Sequence, residues 1–254
     1  MSPVVTICFV LVCIFASAAI GVLLQSRFPD EHLSADTKDV VKLVMGVVGT
    51  MTGMVLGLLV ASAKSSFDAQ RNGVAQLAAN VIVLDRTLAH FGSEAQHARD
   101  VLRDSVIDMT GRIWPDEPVP AGPPAHPPLQ DGRYDDVYDQ ILALQPKTDA
   151  QRTVQAQALK IVHDTAQMRW LLYSERSSSI PPVFLVLMVA WLCVTFACYG
   201  LFAPRHATTF GVQFLGALVV SSAVFLILEL DQAFGGMIHI SSQPLQNAIQ
   251  VLGK

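Results

Sequence analysis

The stretch Gly46–Arg71, GVVGTMTGMVLGLLVASAKSSFDAQR, decides how the rest of the chain is read. It is apolar and uncharged until Lys64, and Gly46, Gly49, Gly53 and Gly57 recur in it every three or four residues. On a helix these glycines share one face, which Ala61 and Ser65 extend. The uncharged run around them, Leu43–Ala63, reaches roughly 31 Å at about 1.5 Å per residue, the thickness of a bilayer core. Val4–Leu24, Val183–Ala203 and Phe210–Leu228 are equally free of charge. The chain is 52% apolar and 15% charged, against roughly 25% charged in soluble domains. Four such runs in 254 residues predict four transmembrane helices rather than the buried helices of a soluble enzyme.

The first run is read as a span. Ala16-Ser17-Ala18 resembles a signal-cleavage site, but no Lys or Arg precedes the apolar run, which is longer than a signal core. Cys8, Cys13, Cys193 and Cys198 all fall inside the spans, where they act as small apolar residues rather than a disulfide framework. The net charge of −4 comes with no basic stripe, so no nucleic-acid partner is expected. The layout is residues 1–63 with spans 4–24 and 43–63, a helical segment 64–180, residues 181–228 with spans 183–203 and 210–228, and a tail 229–254. Lys64, Arg71, Arg169, Arg176 and Lys254 lie on one side of the membrane; Arg27, Lys38, Lys42 and Arg205 lie on the other. The positive-inside rule then places residues 64–180 and both termini in the cytoplasm, with the chain in the inner membrane.

The middle segment has helical periodicity. Val74, Leu77, Val81, Leu84, Leu88 and Phe91 form one stripe. Ala98, Leu102, Val106, Met109 and Ile113 form a second, and Val154, Ala158, Ile161, Thr165, Met168 and Leu172 a third. Nothing stronger than Gly73 interrupts Ala63–His90, so the second span is expected to run on as one long helix. Gly92-Ser93 should end it, with Ser93 capping the next helix and Gln96 at the capping-box position. Residues 115–128 carry half of the chain's 14 prolines and read as an extended linker. Tyr134–Leu144 reads as a short helix, Thr148 or Asp149 as the cap of a long one, and Pro181-Pro182 as the first turn of the third span, with a kink before it.

No catalytic constellation emerges, and neither a metal site nor a cofactor is expected. Gly57–Ser65 lacks the second glycine of a phosphate loop and its strand–loop–helix setting. His90 and His97 are separated by the expected break at Gly92. Asp135, Asp136 and Asp139 lack the spacing of a calcium loop. Two anomalies remain. The glycine face is either a seam between closely packed helices or a pore wall, with Thr50 or Thr52 beside it. The other is the pair Glu229 and Asp231, at a helix C-terminus, where anions oppose the macrodipole. They call for a basic partner, a bound cation or water. After them Gly235-Gly236 should end the helix, and Ser242 should begin a last one with Leu245, Ile249 and Leu252 on one face.

Three stretches taken together, LGLLVASAKSSFDAQR (Leu56–Arg71), VIVLDRTLAHFG (Val81–Gly92) and LELDQAFGGMIHISSQPL (Leu228–Leu245), resemble the bacterial DUF4239 family of bestrophin-like membrane proteins. The resemblance implies an all-α, four-span protein with a cytoplasmic helical bundle, distantly similar to the oligomeric anion channels called bestrophins. It implies that the second span lines a pore, with Val44, Val48, Met51 and Val55 as the apolar residues available to narrow it. The expected function is therefore a homo-oligomeric ion channel, with the lipid membrane and small inorganic ions such as chloride as partners. Lys42 and Lys64 would draw anions toward it; Asp68, Glu229 and Asp231 near the cytoplasmic mouth would favour cations. Asp85 and Arg86 are expected to form ion pairs between helices of the bundle. The alternative is a membrane scaffold that binds a partner through that bundle and transports nothing.

Overall fold

The computed structural model describes residues 3–25, 27, 35–115, 117, 133–174, 182–204 and 206–253. The chain is all-α, and no strand occurs among the described residues. Helices α1 (Pro3–Leu24), α2 (Ala35–Phe91), α3 (Gln96–Ile113), α4 (Arg133–Leu142), α5 (Asp149–Ser174), α6 (Pro182–Leu201), α7 (Ala207–Asp231) and α8 (Gln243–Val251) follow in order. Four of them, α1, α2, α6 and α7, are long and apolar enough to cross a membrane. The chain divides into two compact units, Met1–Phe67 with Ser178–Ile238, and Asp68–Ser177 with His239–Lys254. Most of the Pro-rich linker, the kink expected before α6, and Arg176, Arg205 and Lys254 lie outside the described residues.

The spans are helices for the reason the uncharged runs gave: in lipid each backbone N–H and C=O must bond within its own segment. Their ends differ from the apolar runs. Helix α2 starts at Ala35 rather than Leu43. Asp36 in its first turn suits the N-terminal end of the dipole, and Lys42 pairs with Asp39 at 3.1 Å on an exposed surface. Helix α7 continues through Glu229 to Asp231, because a carboxylate does not break a helix. Helix α6 begins at Pro182, where the missing N–H costs no helical bond.

In the first unit Val10 and Ile14 of α1 pack with Met188 and Leu192 of α6 and with Ala217 and Val224 of α7. Phe15 meets Phe214 edge to face at 5.7 Å, a favoured aromatic geometry. Helices α1 and α6 cross backbone to backbone. A Cβ built on Gly21 would stand 2.1 Å from the Ala197 carbonyl oxygen, and one on Gly200 would stand 2.2 Å from that of Ala18. Between helices in lipid, where no hydrophobic effect drives association, such approach is what gains dispersion energy.

In the second unit the stripe Val74, Leu77, Val81, Leu84, Leu88 and Phe91 is buried throughout. It shares the core with Leu102 and Val106 of α3, Val137 and Ile141 of α4, Ala158 and Val162 of α5, and Leu245 and Ile249 of α8. Polar contacts fix the helix ends. Gln155 of α5 donates from Nε2 to the carbonyls of Ile141 (2.8 Å) and Leu144 (2.9 Å). Gln151 donates to the carbonyl of Phe91 at 3.0 Å, which satisfies an orphan group at the C-terminus of α2. Thr148 caps α5 by accepting the Gln151 N–H at 3.1 Å. The cap expected of Ser93 is not made. Gly92, at φ 121°, turns the chain directly into a 3₁₀ turn, Ser93–Ala95, and neither this turn nor α3 has a side-chain cap. A 3₁₀ turn bonds i to i+3 and leaves Ser93 inside the turn, where it no longer occupies the cap position.

Candidate functional site

The membrane half of α2 is the span that the chain itself covers least. Its apolar window is 6% buried, against 22–28% for the other three spans. Thr52, Ala63 and Phe67 are buried, and Leu56 and Leu59 lean on the cluster of α1, α6 and α7. The remaining circumference is exposed or half-buried. A Cβ on Gly46, Gly49, Gly53 or Gly57 would meet nothing within 4 Å, so among the described residues of one chain no helix packs against the glycine face. At 3.6 residues per turn, Val44, Val48, Met51 and Val55 lie on the opposite side of α2 from the glycines. Met51 is 62% exposed, Val44 is exposed, and Val48 and Val55 are half-buried. Val47, Met54 and Leu58 are also exposed and occupy the sector farthest from the buried side. The threonine hydroxyls turn inward on their own helix: Thr50 donates to the Gly46 carbonyl at 2.9 Å and Thr52 to that of Val48 at 2.7 Å. Each donor is thereby satisfied without a partner helix, while the oxygen lone pairs stay available.

The charges singled out from the sequence fall in different surroundings. The Lys64 ammonium sits 5.9 Å from the centre of the Phe67 ring, within cation–π range. Asp68 and Asp231 are half-buried. Glu229 is 1% exposed. Its Oε2 accepts the backbone N–H groups of Met237 (2.8 Å) and Ile238 (3.3 Å). Thus the offset expected for an acid at the end of α7 comes from the following turn, in which backbone dipoles do the work of a cation. The turn depends on Gly236, at φ 89°, where an added Cβ would stand 2.5 Å from Glu229 Oε2. Replacing Gly236 with alanine is expected to cost about 1–3 kcal/mol, while Gly235→Ala, where a Cβ meets nothing within 4 Å, should be nearly neutral. Denaturant unfolding of the two variants checks this; equal losses would show that the Glu229 turn is not the cause.

In the second unit Asp85 is paired with Arg99, and Arg86 is exposed. The Arg99 guanidinium donates from Nε to Oδ1 at 2.8 Å and from NH2 to Oδ2 at 3.0 Å, a bidentate fork. This hydrogen bonding to Asp85 holds the guanidinium pKa above its ordinary value, against the opposing effect of burial. At the bundle surface Lys147 lies 3.0 Å from Glu94, and that hydrogen bond draws the Glu94 carboxyl below its ordinary range. The tail is held by side chains the sequence reading did not single out. Trp114 Nε1 donates to the Ile240 carbonyl at 2.7 Å, and Glu117 pairs with the Ser242 hydroxyl. Gly21, Gly200, Arg99 and Trp114 were missed because none belongs to a repeated pattern. The one available signal was an arginine directly beside the buried stripe that starts at Ala98.

Four apolar helices, a separate helical unit and an uncovered second span define a multi-pass helical membrane protein. A Bestrophin-like domain model matches residues 12–245, and the chain belongs to that family. No curated protein matches it in sequence. Among solved structures it is similar to a bacterial Bestrophin homolog from Klebsiella pneumoniae, solved by zinc phasing, at 15% identity with a TM-score of 0.65, covering 96% of each chain. Two single-site variants of that homolog are matched equally well. One gives a TM-score of 0.66 at 15% identity, over 98% of this chain and 96% of the other. The second gives 0.67 at 14% identity, over 96% and 95%. At this identity the likeness establishes the fold.

Proposed function

We propose that the protein is a homo-oligomeric ion channel whose conduction path is lined by α2, with small anions such as chloride as the permeant ions. The observation that carries this is the exposure of α2. A span 6% buried within its own chain, with an apolar side and a glycine side both open, is completed by further copies around an axis. Membership of the Bestrophin-like family supports the channel reading. In the oligomer the glycine face approaches a neighbouring copy, and Met51, with Val47 and Met54 beside it, narrows the path while Val48 and Val55 flank it. Lys42 and Lys64 raise the local anion concentration. The Glu229 charge is held by the N–H groups of its own turn, which takes one carboxylate out of the set that would favour cations. Residues 64–180 and both termini are assigned to the cytoplasmic side of the inner membrane on the lysine and arginine distribution.

Against the scaffold reading stands the α2 stripe Val74–Phe91, which is buried among the chain's own helices rather than offered to a partner.

Flux from liposomes holding the purified oligomer, with chloride and potassium gradients applied separately, tests the proposal. Chloride flux is expected, and Met51→Ala and Val48→Ala should raise it by widening an apolar constriction. Potassium flux in place of chloride would overturn the selectivity. No flux from folded oligomer, in the wild type and in both variants, would overturn the channel.

A further inference from the structure

The turn after α7 presents a bare apolar tip. Outside the charge-free runs Met237 is the most exposed large apolar side chain among the described residues, at 73%, and Ile238 beside it is 40% exposed. Gly235 and Gly236 before them are exposed as well. A single exposed apolar side chain needs no explanation, but this pair is held in place. Glu229, itself 1% exposed, accepts the Met237 N–H at 2.8 Å and the Ile238 N–H at 3.3 Å. The Gly235 N–H is taken by the Gln232 carbonyl at 3.0 Å. A buried carboxylate thus fixes the path of a segment whose side chains it leaves uncovered.

We propose that the Met237–Ile238 tip dips into the lipid headgroup layer on the side of the membrane where α7 ends, with Glu229 as the residue that positions it. Depth points there first. The charge-free run of α7 closes at Leu228, and Glu229 is the next residue. Both of its hydrogen bonds return the chain to that level, so the tip lies within one side chain's length of the end of the hydrocarbon core. The headgroup layer extends roughly 5–8 Å beyond the core on each side. Backbone chemistry points the same way. A segment that enters lipid must have its N–H groups bonded within the protein, and those of Gly235, Met237 and Ile238 are. The size of the tip favours lipid over protein. A stable protein interface takes about 800 Å² from each partner, and two side chains on one turn fall short of that. A lipid layer asks only for apolar surface, and no side chain from Gly235 to Ile238 carries a polar group.

The test is site-directed spin labelling of the full-length protein in vesicles of phosphatidylethanolamine and phosphatidylglycerol. Cys8, Cys13, Cys193 and Cys198 are first replaced with alanine. A nitroxide is then placed on Met237→Cys, on Ile238→Cys or, as the water reference, on Gln145→Cys, which is exposed in the bundle. Oxygen concentrates in lipid and a nickel chelate stays in water, so the ratio of their collision rates with the label reads depth. That ratio should be severalfold higher at the Met237 and Ile238 positions than at Gln145. Glu229→Leu should bring the ratio at the Met237 position down toward the reference, because leucine cannot accept the two N–H groups. A ratio equal to the reference in the unaltered turn places the tip in water and overturns the proposal. Low collision rates with both reagents overturn it in favour of protein contact, and spin–spin broadening then marks a second copy as the cover. A high ratio that survives Glu229→Leu overturns the positioning role of Glu229. Should Glu229→Leu fail to fold, Gly236→Ala, which crowds the same carboxylate, takes its place. Should the cysteine-free protein fail to fold, the labels go into the native background and the spectrum of the labelled unsubstituted protein is subtracted. None of these outcomes depends on ion conduction.

Discussion

Replacing Arg99 with methionine is expected to destabilise the protein by about 3–5 kcal/mol, the usual cost of leaving one member of a buried ion pair alone. The magnitude follows from the partner: Asp85 is 1% exposed, and both of its oxygens accept from the guanidinium. Without Arg99 the buried Asp85 carboxylate loses both of its guanidinium hydrogen bonds. Asp85→Leu alone should cost a similar amount. The double variant Asp85→Leu with Arg99→Met should recover much of the loss, because it removes both charges and leaves apolar volume. A double-mutant cycle by denaturant unfolding of full-length protein in detergent measures this. Strict additivity of the two single losses would show that the pair is not coupled. Arg86→Met, at an exposed position, should change stability by no more than about 0.5 kcal/mol.

The second large effect is expected where α1 crosses α6. Gly21→Ala and Gly200→Ala each force a methyl group into a backbone carbonyl, at 2.1 Å and 2.2 Å. A carbonyl inside a helix cannot swing aside, so the helices must separate. Each variant should lose about 1–3 kcal/mol, the range for an overpacked core. The double variant should lose less than the sum, because one separation relieves both overlaps. Gly49→Ala is the control, since a Cβ there meets nothing within 4 Å of the same chain. If the α2 glycines face a neighbouring copy as proposed, Gly49→Leu should lower the oligomeric state, as read by mass in detergent, while leaving the unfolding of each subunit nearly unchanged. Loss of subunit stability with the oligomer intact would place the face inside one chain and count against the proposal.

These two pairs show how the legibility of a sequence depends on repetition. Charge-free runs and three-and-four spacings repeat over many residues, so a single chain carries enough of them to mark helices and faces. The stripe Val74–Phe91 was legible in this way, and so was the last helix with Leu245 and Ile249. Single contacts were not. Asp85 stood out in the sequence, but its partner lies 14 residues away on the next helix, past a turn whose geometry is set by Gly92. Four glycines in register mark α2 as either a seam or a pore wall. The close approach within the chain instead rests on one glycine in each of α1 and α6, helices that lie more than 150 residues apart in the chain. Glu229 raised the right question, how an acid is tolerated at a helix C-terminus. The answer required the path of the chain through Gly236.

By itself, then, the amino-acid order determined that the chain is helical, that it crosses a membrane four times, and that its second span continues as the first helix of a buried bundle. Lipid makes the first two readable, because it forbids charge and unpaired backbone over a fixed thickness, and the unbroken three-and-four spacing through Phe91 makes the third readable. The tertiary structure alone decided which helices touch, which acid is held by N–H groups and which by arginine, and which span is left open. Those outcomes depend on distances between residues far apart in the chain, and each distance is set by packing and turn geometry rather than by any local pattern.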